Sequence, residues 1–356
     1  PKLSQEDFWM LLRHLRQSGI RHIHGDVVLD GDFYDVPASD PGAFDGEASK
    51  PYNVAPEALL VNFQVVAFRL VPDADTGRVL VSADPNPARL VIENRLRLDA
   101  AGSCEAWSKQ VQRDADGSVH VAFDGALPAS CGEKTVHLAL FANTAYLDGV
   151  FRQFWREVGG SLDGTVRTGS TPPGARLVFA QPSAPLGELV RDINKFSNNT
   201  MARALYLDLG AHAFGAPATP EKSANALRCW LAAKGLAFPE LIMENGSGLS
   251  RVERISPRHL GELLLAAYQS PAMPEFVASL PVVALDGTMK KRLRDEYVAR
   301  MAHVKTGTLD GVKAIAGYVR TASGRYVVVV CLINHPRAAL GGPAQDALLD
   351  WVYQHL

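Results

Sequence analysis

Val190-Arg191-Asp192-Ile193-Asn194-Lys195-Phe196-Ser197-Asn198-Asn199 stands at the junction of two helical patterns, and the second half of the chain is organised around it. Leu186, Leu189, Val190, Ile193 and Phe196 carry the spacing of one helix ahead of Ser197, and Met201, Ala204 and Leu205 begin another behind it. Ser256 before Pro257 reads as the N-cap and first-turn residue of a further helix, continued by Leu260, Leu263, Leu264 and Ala267. Beyond these helices the pattern turns to strands. Val304 opens one that carries Lys305-Thr306-Gly307-Thr308, and Asp310-Gly311 turns it. Val312 to Arg320 returns, Ser323-Gly324 turns again, and Tyr326 to Ile333 reads as a fully buried strand. A last helix carries Leu348, Leu349, Trp351 and Val352. A helical cluster, an antiparallel meander and a closing helix make an α+β arrangement.

The first half reads differently. Ser4 is placed to cap a helix whose face is Phe8, Leu11, Leu12 and Leu15, with Asp7 three residues on; Gly19 ends it and a strand runs through Val27-Val28-Leu29. A similar unit recurs: Val150, Phe151, Phe154, Trp155 and Val158, then Gly159-Gly160, then Asp163-Gly164 before Thr165-Val166-Arg167. Between them, roughly 60–142, lie short strands such as Val61 to Val65, Val119 to Val121 and Val136 to Leu140. The turns Asp73 to Gly77 and Asp114 to Gly117 separate them. This is one subdomain interrupted by another. The Pro-, Gly- and Ser-rich stretch from about 170 to 187 marks a domain boundary, placed after residue 182.

The 356 residues suffice for about two to two and a half domains, and 47% hydrophobic with 21% charged residues is a globular mix. Thirty-six Lys and Arg against 38 Asp and Glu leave a net charge of −2, no basis for a nucleic-acid partner. No apolar run approaches the roughly 20 residues that cross a bilayer. Pro1 to Ser4 leads into an amphipathic pattern rather than a signal peptide. Cys104 and Cys131 sit in Gly/Ser loop sequence on either side of the strand-like Ser118 to Phe123. They are either two free thiols or a bridge, which would contribute roughly 3 kcal/mol and imply an oxidising compartment. Cys229 and Cys331 read as small buried hydrophobes.

Ser197-Asn198-Asn199 and Lys305-Thr306-Gly307 are weak signals singly. Roughly one chain of this length in ten contains Lys-Thr-Gly by chance, and Ser and Asn are ordinary helix caps. Their order, separation and context are more specific, matching the Ser-x-Asn and Lys-Thr-Gly signatures of serine β-lactamases and penicillin-binding proteins. The stretch 190–199 resembles the second motif of the class C low-molecular-mass penicillin-binding proteins, the D-Ala-D-Ala carboxypeptidase/endopeptidase family. Asn245-Gly246-Ser247-Gly248-Leu249-Ser250, Leu285-Asp286-Gly287-Thr288 and Lys305 to Gly311 are similar to that family as well. Tyr52-Asn53-Val54-Ala55-Pro56 and the Cys104/Cys131 region match its accessory insertion.

The resemblance implies a penicillin-binding, β-lactamase-like catalytic domain at 183–356 and, at 1–182, a β-rich accessory insertion of two nested subdomains. No Ser here is followed three residues later by Lys. The nucleophile and its lysine are therefore expected in a segment ahead of the insertion, inside which this chain begins. By the same resemblance Ser197 relays a proton to the leaving amine, Asn199 holds the substrate's peptide groups, and Lys305 supplies positive potential. Thr306 and Thr308 receive the terminal carboxylate, the Thr308 N–H is one oxyanion donor, and Gly307 lets substrate lie along the strand. The implied activity is serine-type D-Ala-D-Ala carboxypeptidase or endopeptidase action on peptidoglycan stem peptides in the periplasm, with β-lactams as covalent ligands and no metal or organic cofactor. It admits a homo-oligomer. A non-catalytic peptidoglycan-binding or scaffold relative is the alternative, a serine esterase or β-lactamase a third. His22 and His24, two apart on a strand, lack a third metal ligand nearby and read as exposed strand residues. Lys290, Lys291 and Arg292 read as a solvated face, Gly246-Ser247-Gly248 as a tight turn, and Lys195 as a residue of unknown direction.

Overall fold

The computed structural model describes residues 2–356, which fall into two compact units: 2–33 with 37–182, and 34–36 with 183–356.

In the first unit, α1 (Gln5–Gln17) begins at Ser4, whose hydroxyl accepts from the Asp7 N–H while the Asp7 carboxylate accepts from the Ser4 N–H. It buries Phe8 and Leu12. Two short strands follow, β1 (His22–Ile23) and β2 (Val27–Leu29). The interrupting sheet comprises β3 (Val65–Asp73), β4 (Arg78–Asp84), β5 (Leu90–Asp99), β6 (Trp107–Arg113), β7 (Val119–Pro128) and β8 (Lys134–Ala139). Their order is β6-β7-β5-β4-β3-β8, antiparallel except for β5 beside β7. The chain then returns through α2 (Asn143–Glu157), β9 (Ser161–Leu162) and β10 (Val166–Thr168). The two similar units pair: β1 lies parallel to β9 and β2 to β10. Phe68 and Phe123 from the sheet and Tyr146, Phe151 and Trp155 from α2 share one core with Phe8 and Leu12.

The expected strand over Val61 to Val65 does not form. Asn62, Phe63 and Gln64 have φ of 48°, 52° and 60°, so the chain turns there before β3 begins. The Gln64 N–H donates to the Val61 carbonyl and the Asn62 side chain to that of Val65. Val61 and Val65 are buried on either side of a turn, and alternation alone does not separate that from a strand.

A disulfide joins Cys104 to Cys131 across 27 residues, and Cys131 packs against the core. Closing that loop is worth about 3–4 kcal/mol by chain entropy. The double change Cys104→Ser, Cys131→Ser should lower the urea midpoint of this unit accordingly, and an unchanged midpoint contradicts the estimate. Cys331 is half-buried, but Cys229 is exposed beside Trp230, because the helix that carries it, Pro220–Ala233, turns Ser223 and Leu231 inward.

The second unit contains α3 (Leu186–Phe196), α4 (Asn199–Phe214), α5 (Pro220–Ala233), α6 (Pro257–Tyr268) and α7 (Met273–Ser279), then β11 (Ala302–Leu309), β12 (Val312–Arg320), β13 (Tyr326–Asn334) and α8 (Gly342–His355). Tyr34 belongs with it, bridging to Ala218 and donating its hydroxyl to Asp208 at 2.8 Å. The sheet is antiparallel with β12 central, and both faces are covered. Ile315 and Val319 pack with Leu349 and Val352 of α8, while Tyr318 between them packs with Leu264 of α6 and Val277 of α7. β13 is only half-buried, with Val329 alone fully enclosed, because it is an edge strand. Arg292 is not part of a solvated face. Its guanidinium is paired with Asp346, at 3.0 Å from Nε, and partly enclosed.

Candidate active site

Ser197 ends α3 in the left-handed conformation (φ 54°, ψ 47°), its N–H donating back to Ile193. A non-glycine residue holds that conformation at a cost of roughly 1–2 kcal/mol. One residue later Asn198 caps α4, accepting from the Met201 N–H at 3.0 Å. The capping reading of this tripeptide is thus correct for Asn198, while Ser197 is turned out of the helix. Its hydroxyl accepts from the Lys305 ammonium at 2.7 Å, a contact between residues 108 apart in the chain. Lys305 also donates to the Thr306 carbonyl at 2.6 Å. Burial, with its loss of hydration, pushes the Lys305 pKa down to about 8. Asn199 opens the first turn of α4, two residues from Ser197.

The backbone of β11 shows which way its amides face. As the edge strand, it exchanges ladder hydrogen bonds with β12 on one side only. The Val304 N–H points to the other side, where it donates to the Pro281 carbonyl. By the two-residue period the N–H groups of Thr306 and Thr308 face that same outer edge. The Thr306 hydroxyl meets that of Thr288 at 2.9 Å, adding a hydroxyl that carried a family resemblance but no assigned role. A Cβ on Gly307 would sit 3.5 Å from the Ala314 side chain, an ordinary contact at a φ open to any residue. The chain's own packing therefore does not require glycine there. Gly307→Ala should leave the melting temperature within about 1 °C while lowering acylation by labelled penicillin in the full-length protein; an undiminished rate removes the case for close approach at this strand.

Lys195, whose direction the sequence left open, is turned inward and buried. Its ammonium donates to the Leu280 carbonyl at 2.6 Å and to both Asp286 oxygens at 2.9 and 2.7 Å, and Asp286 also accepts from the Val282 N–H. The 280–288 segment thereby holds the end of α3 through Asp286 and touches β11 through Thr288. Asp286 carried a family resemblance but no role, because nothing local in the sequence links it to Lys195, 91 residues earlier. Gly246 and Gly248 have φ of 76° and 77°, as a tight turn requires, and the Glu253 carboxylate gathers the N–H groups of residues 244, 245 and 246. Arg203 donates to the Ser247 hydroxyl at 3.3 Å.

A hydroxyl and a desolvated ammonium in contact, beside an open strand edge bearing two threonines and a glycine, can pass a proton and hold an anion. These are the capacities of one wall of a serine acyl-transfer cleft. Residues 1–354 match the D-Ala-D-Ala carboxypeptidase 3 (S13) family, and the chain belongs to it. It is 27% identical to the D-alanyl-D-alanine carboxypeptidase of Actinomadura sp. (strain R39), with 98% of this chain and 66% of that protein covered. Against D-alanyl-D-alanine carboxypeptidase DacB of Haemophilus influenzae the identity is 24%, covering 94% of this chain and 70% of that protein. The chain thus spans about two thirds of the length of these curated relatives. The fold is that of penicillin binding protein 4 (dacB) from Haemophilus influenzae, whose crystal structure matches with a TM-score of 0.75 at 23% identity over 98% of this chain and 80% of that one. A second crystal structure of that protein, complexed with a novel β-lactam, matches with a TM-score of 0.71 at 21% identity.

Proposed function

We propose that the whole protein is a serine-type D-Ala-D-Ala carboxypeptidase/endopeptidase that acts on peptidoglycan stem peptides through an acyl-enzyme and is inhibited by β-lactams. The observation that carries this reading is the 2.7 Å contact of Lys305 with Ser197 in a chain of the S13 family. No Ser of this chain precedes a Lys by three residues, so the attacking serine is to be sought outside it. The residues present then divide the remaining work. The substrate lies along the open edge of β11, where Gly307 offers no obstruction and the Thr308 N–H donates to the carbonyl oxygen as it becomes negative. One such donor is worth roughly 3–4 kcal/mol of barrier. Lys305 favours a carboxylate-terminated substrate, and Ser197, held on that ammonium, hands a proton to the leaving amine. Thr306, Thr288 and Thr308 supply hydroxyls for the terminal carboxylate, and Asn199 orients the acyl chain. The Cys104–Cys131 disulfide supports an oxidising location, the periplasm.

The test is labelling of the full-length protein with a fluorescent penicillin. A band that survives denaturation and is lost on prior incubation with unlabelled penicillin is expected. A folded protein that gives no band overturns the reading in favour of a non-catalytic peptidoglycan-binding relative.

A further inference from the structure

We propose that His22, His24 and Asp163, in the first unit, bind a divalent transition cation, Zn²⁺ being the best match. His22 and His24 stand two residues apart and so project from the same face of one extended segment. The parallel pairing of β1 with β9, His22 opposite Ser161 and Ile23 opposite Leu162, brings the next residue of the partner segment, Asp163, alongside them. Its carboxylate Oδ2 lies 2.7 Å from His22 Nε2 and 3.2 Å from His24 Nδ1. One ligand atom from each residue falls within 4.8 Å of the other two. Ligands at 2.0–2.2 Å around a tetrahedral ion sit roughly 3.3–3.6 Å apart, so the three atoms need move only slightly to share one ion.

The site is built in advance. The Asp163 N–H donates to the carbonyl of Ile23, the residue between the two histidines, at 3.0 Å. The Ser161 N–H donates to the Arg21 carbonyl, also at 3.0 Å, and the Trp155 indole donates to the Ser161 carbonyl at 2.9 Å. The Ser161 hydroxyl meets His22 Nδ1 at 2.5 Å, which leaves Nε2 for the ion and fixes the ring plane, as outer-sphere partners of ligating histidines do. Two imidazoles and a carboxylate select Zn²⁺, Ni²⁺ or Cu²⁺ over Ca²⁺ or Mg²⁺, and three protein ligands leave a position open to water or an outside group. A bound ion would tie β1 to the segment after β9 across about 140 residues of chain.

The experiment is isothermal titration of the chelator-treated full-length protein with ZnSO₄, alongside His24→Ala, Asp163→Asn and Ser161→Ala. The His24 side chain is 84% exposed, so its removal leaves the fold intact. Wild type should take up Zn²⁺ saturably and ignore Ca²⁺ and Mg²⁺. Ser161→Ala should bind roughly 10–100-fold more weakly, and the two ligand changes should weaken binding further. Absence of Zn²⁺ uptake overturns the proposal. So does uptake unchanged in His24→Ala and Asp163→Asn, which would assign it to others of the ten histidines.

Discussion

Lys305→Gln in the full-length protein should lower the second-order rate of acylation by labelled penicillin roughly 10²–10³-fold. Glutamine retains an N–H able to reach the Ser197 hydroxyl but carries no charge, so the change removes positive potential from the open edge of β11 and keeps a hydrogen bond. Lys305→Arg is not a mild alternative, because a planar guanidinium does not replace a compact ammonium between Ser197 Oγ and the Thr306 carbonyl. The wild type should reproduce part of the effect by pH. With the Lys305 pKa near 8, the ammonium is charged below that value and loses its proton as pH rises through it. Affinity for carboxylate-bearing ligands should therefore fall above about pH 8. Stability moves the other way. Between about 8 and 10.5 the unfolded chain holds this proton and the folded one does not, so this group's contribution to folding becomes more favourable as pH rises across that window. A Lys305→Gln protein that acylates at the wild-type rate would remove Lys305 from the chemistry.

Asp286→Asn should cost about 2–3 kcal/mol of stability, less than the 3–5 kcal/mol of a fully buried pair because the Asp286 side chain is 39% exposed. The change leaves the Lys195 ammonium, 11% exposed, without a counter-charge, and leaves one amide oxygen where two carboxylate oxygens accepted from Lys195 and Val282, with the Leu280 carbonyl unchanged. The same carboxylate accepts from Val282 and closes the turn that supports the end of α3. Ser197 keeps its left-handed conformation because its surroundings impose it, so loosening this support should draw its hydroxyl away from Lys305. A lower urea midpoint and a slower acylation are expected together. Acylation unaffected by a clear loss of stability would confine Asp286 to the fold, and an unchanged midpoint would refute its anchoring role.

Much of the second unit was legible because its signals are local. Ser256-Pro257 starts α6, Asp310-Gly311 turns β11 into β12, and the apolar spacing of residues 186–196 is that of α3, all set by interactions within a few residues. The failures share one cause. Val61 to Val65 alternates like a strand, yet three residues of positive φ intervene. Cys229 has a hydrophobic neighbour, yet its helix face is turned outward. Burial depends on which neighbour arrives, and no window of sequence contains the neighbour.

The same division runs through the sites. By itself the sequence determined which groups were on hand: a hydroxyl at a helix junction, an ammonium and a glycine on a strand, two histidines at strand spacing. Only the tertiary structure decided their company. It set Lys305 on Ser197, Asp286 on Lys195 and Asp163 between His22 and His24, at separations of 91 to 141 residues. Local propensity acts over a turn or two of chain, whereas these contacts follow from sheet register and helix packing, which only the folded core fixes.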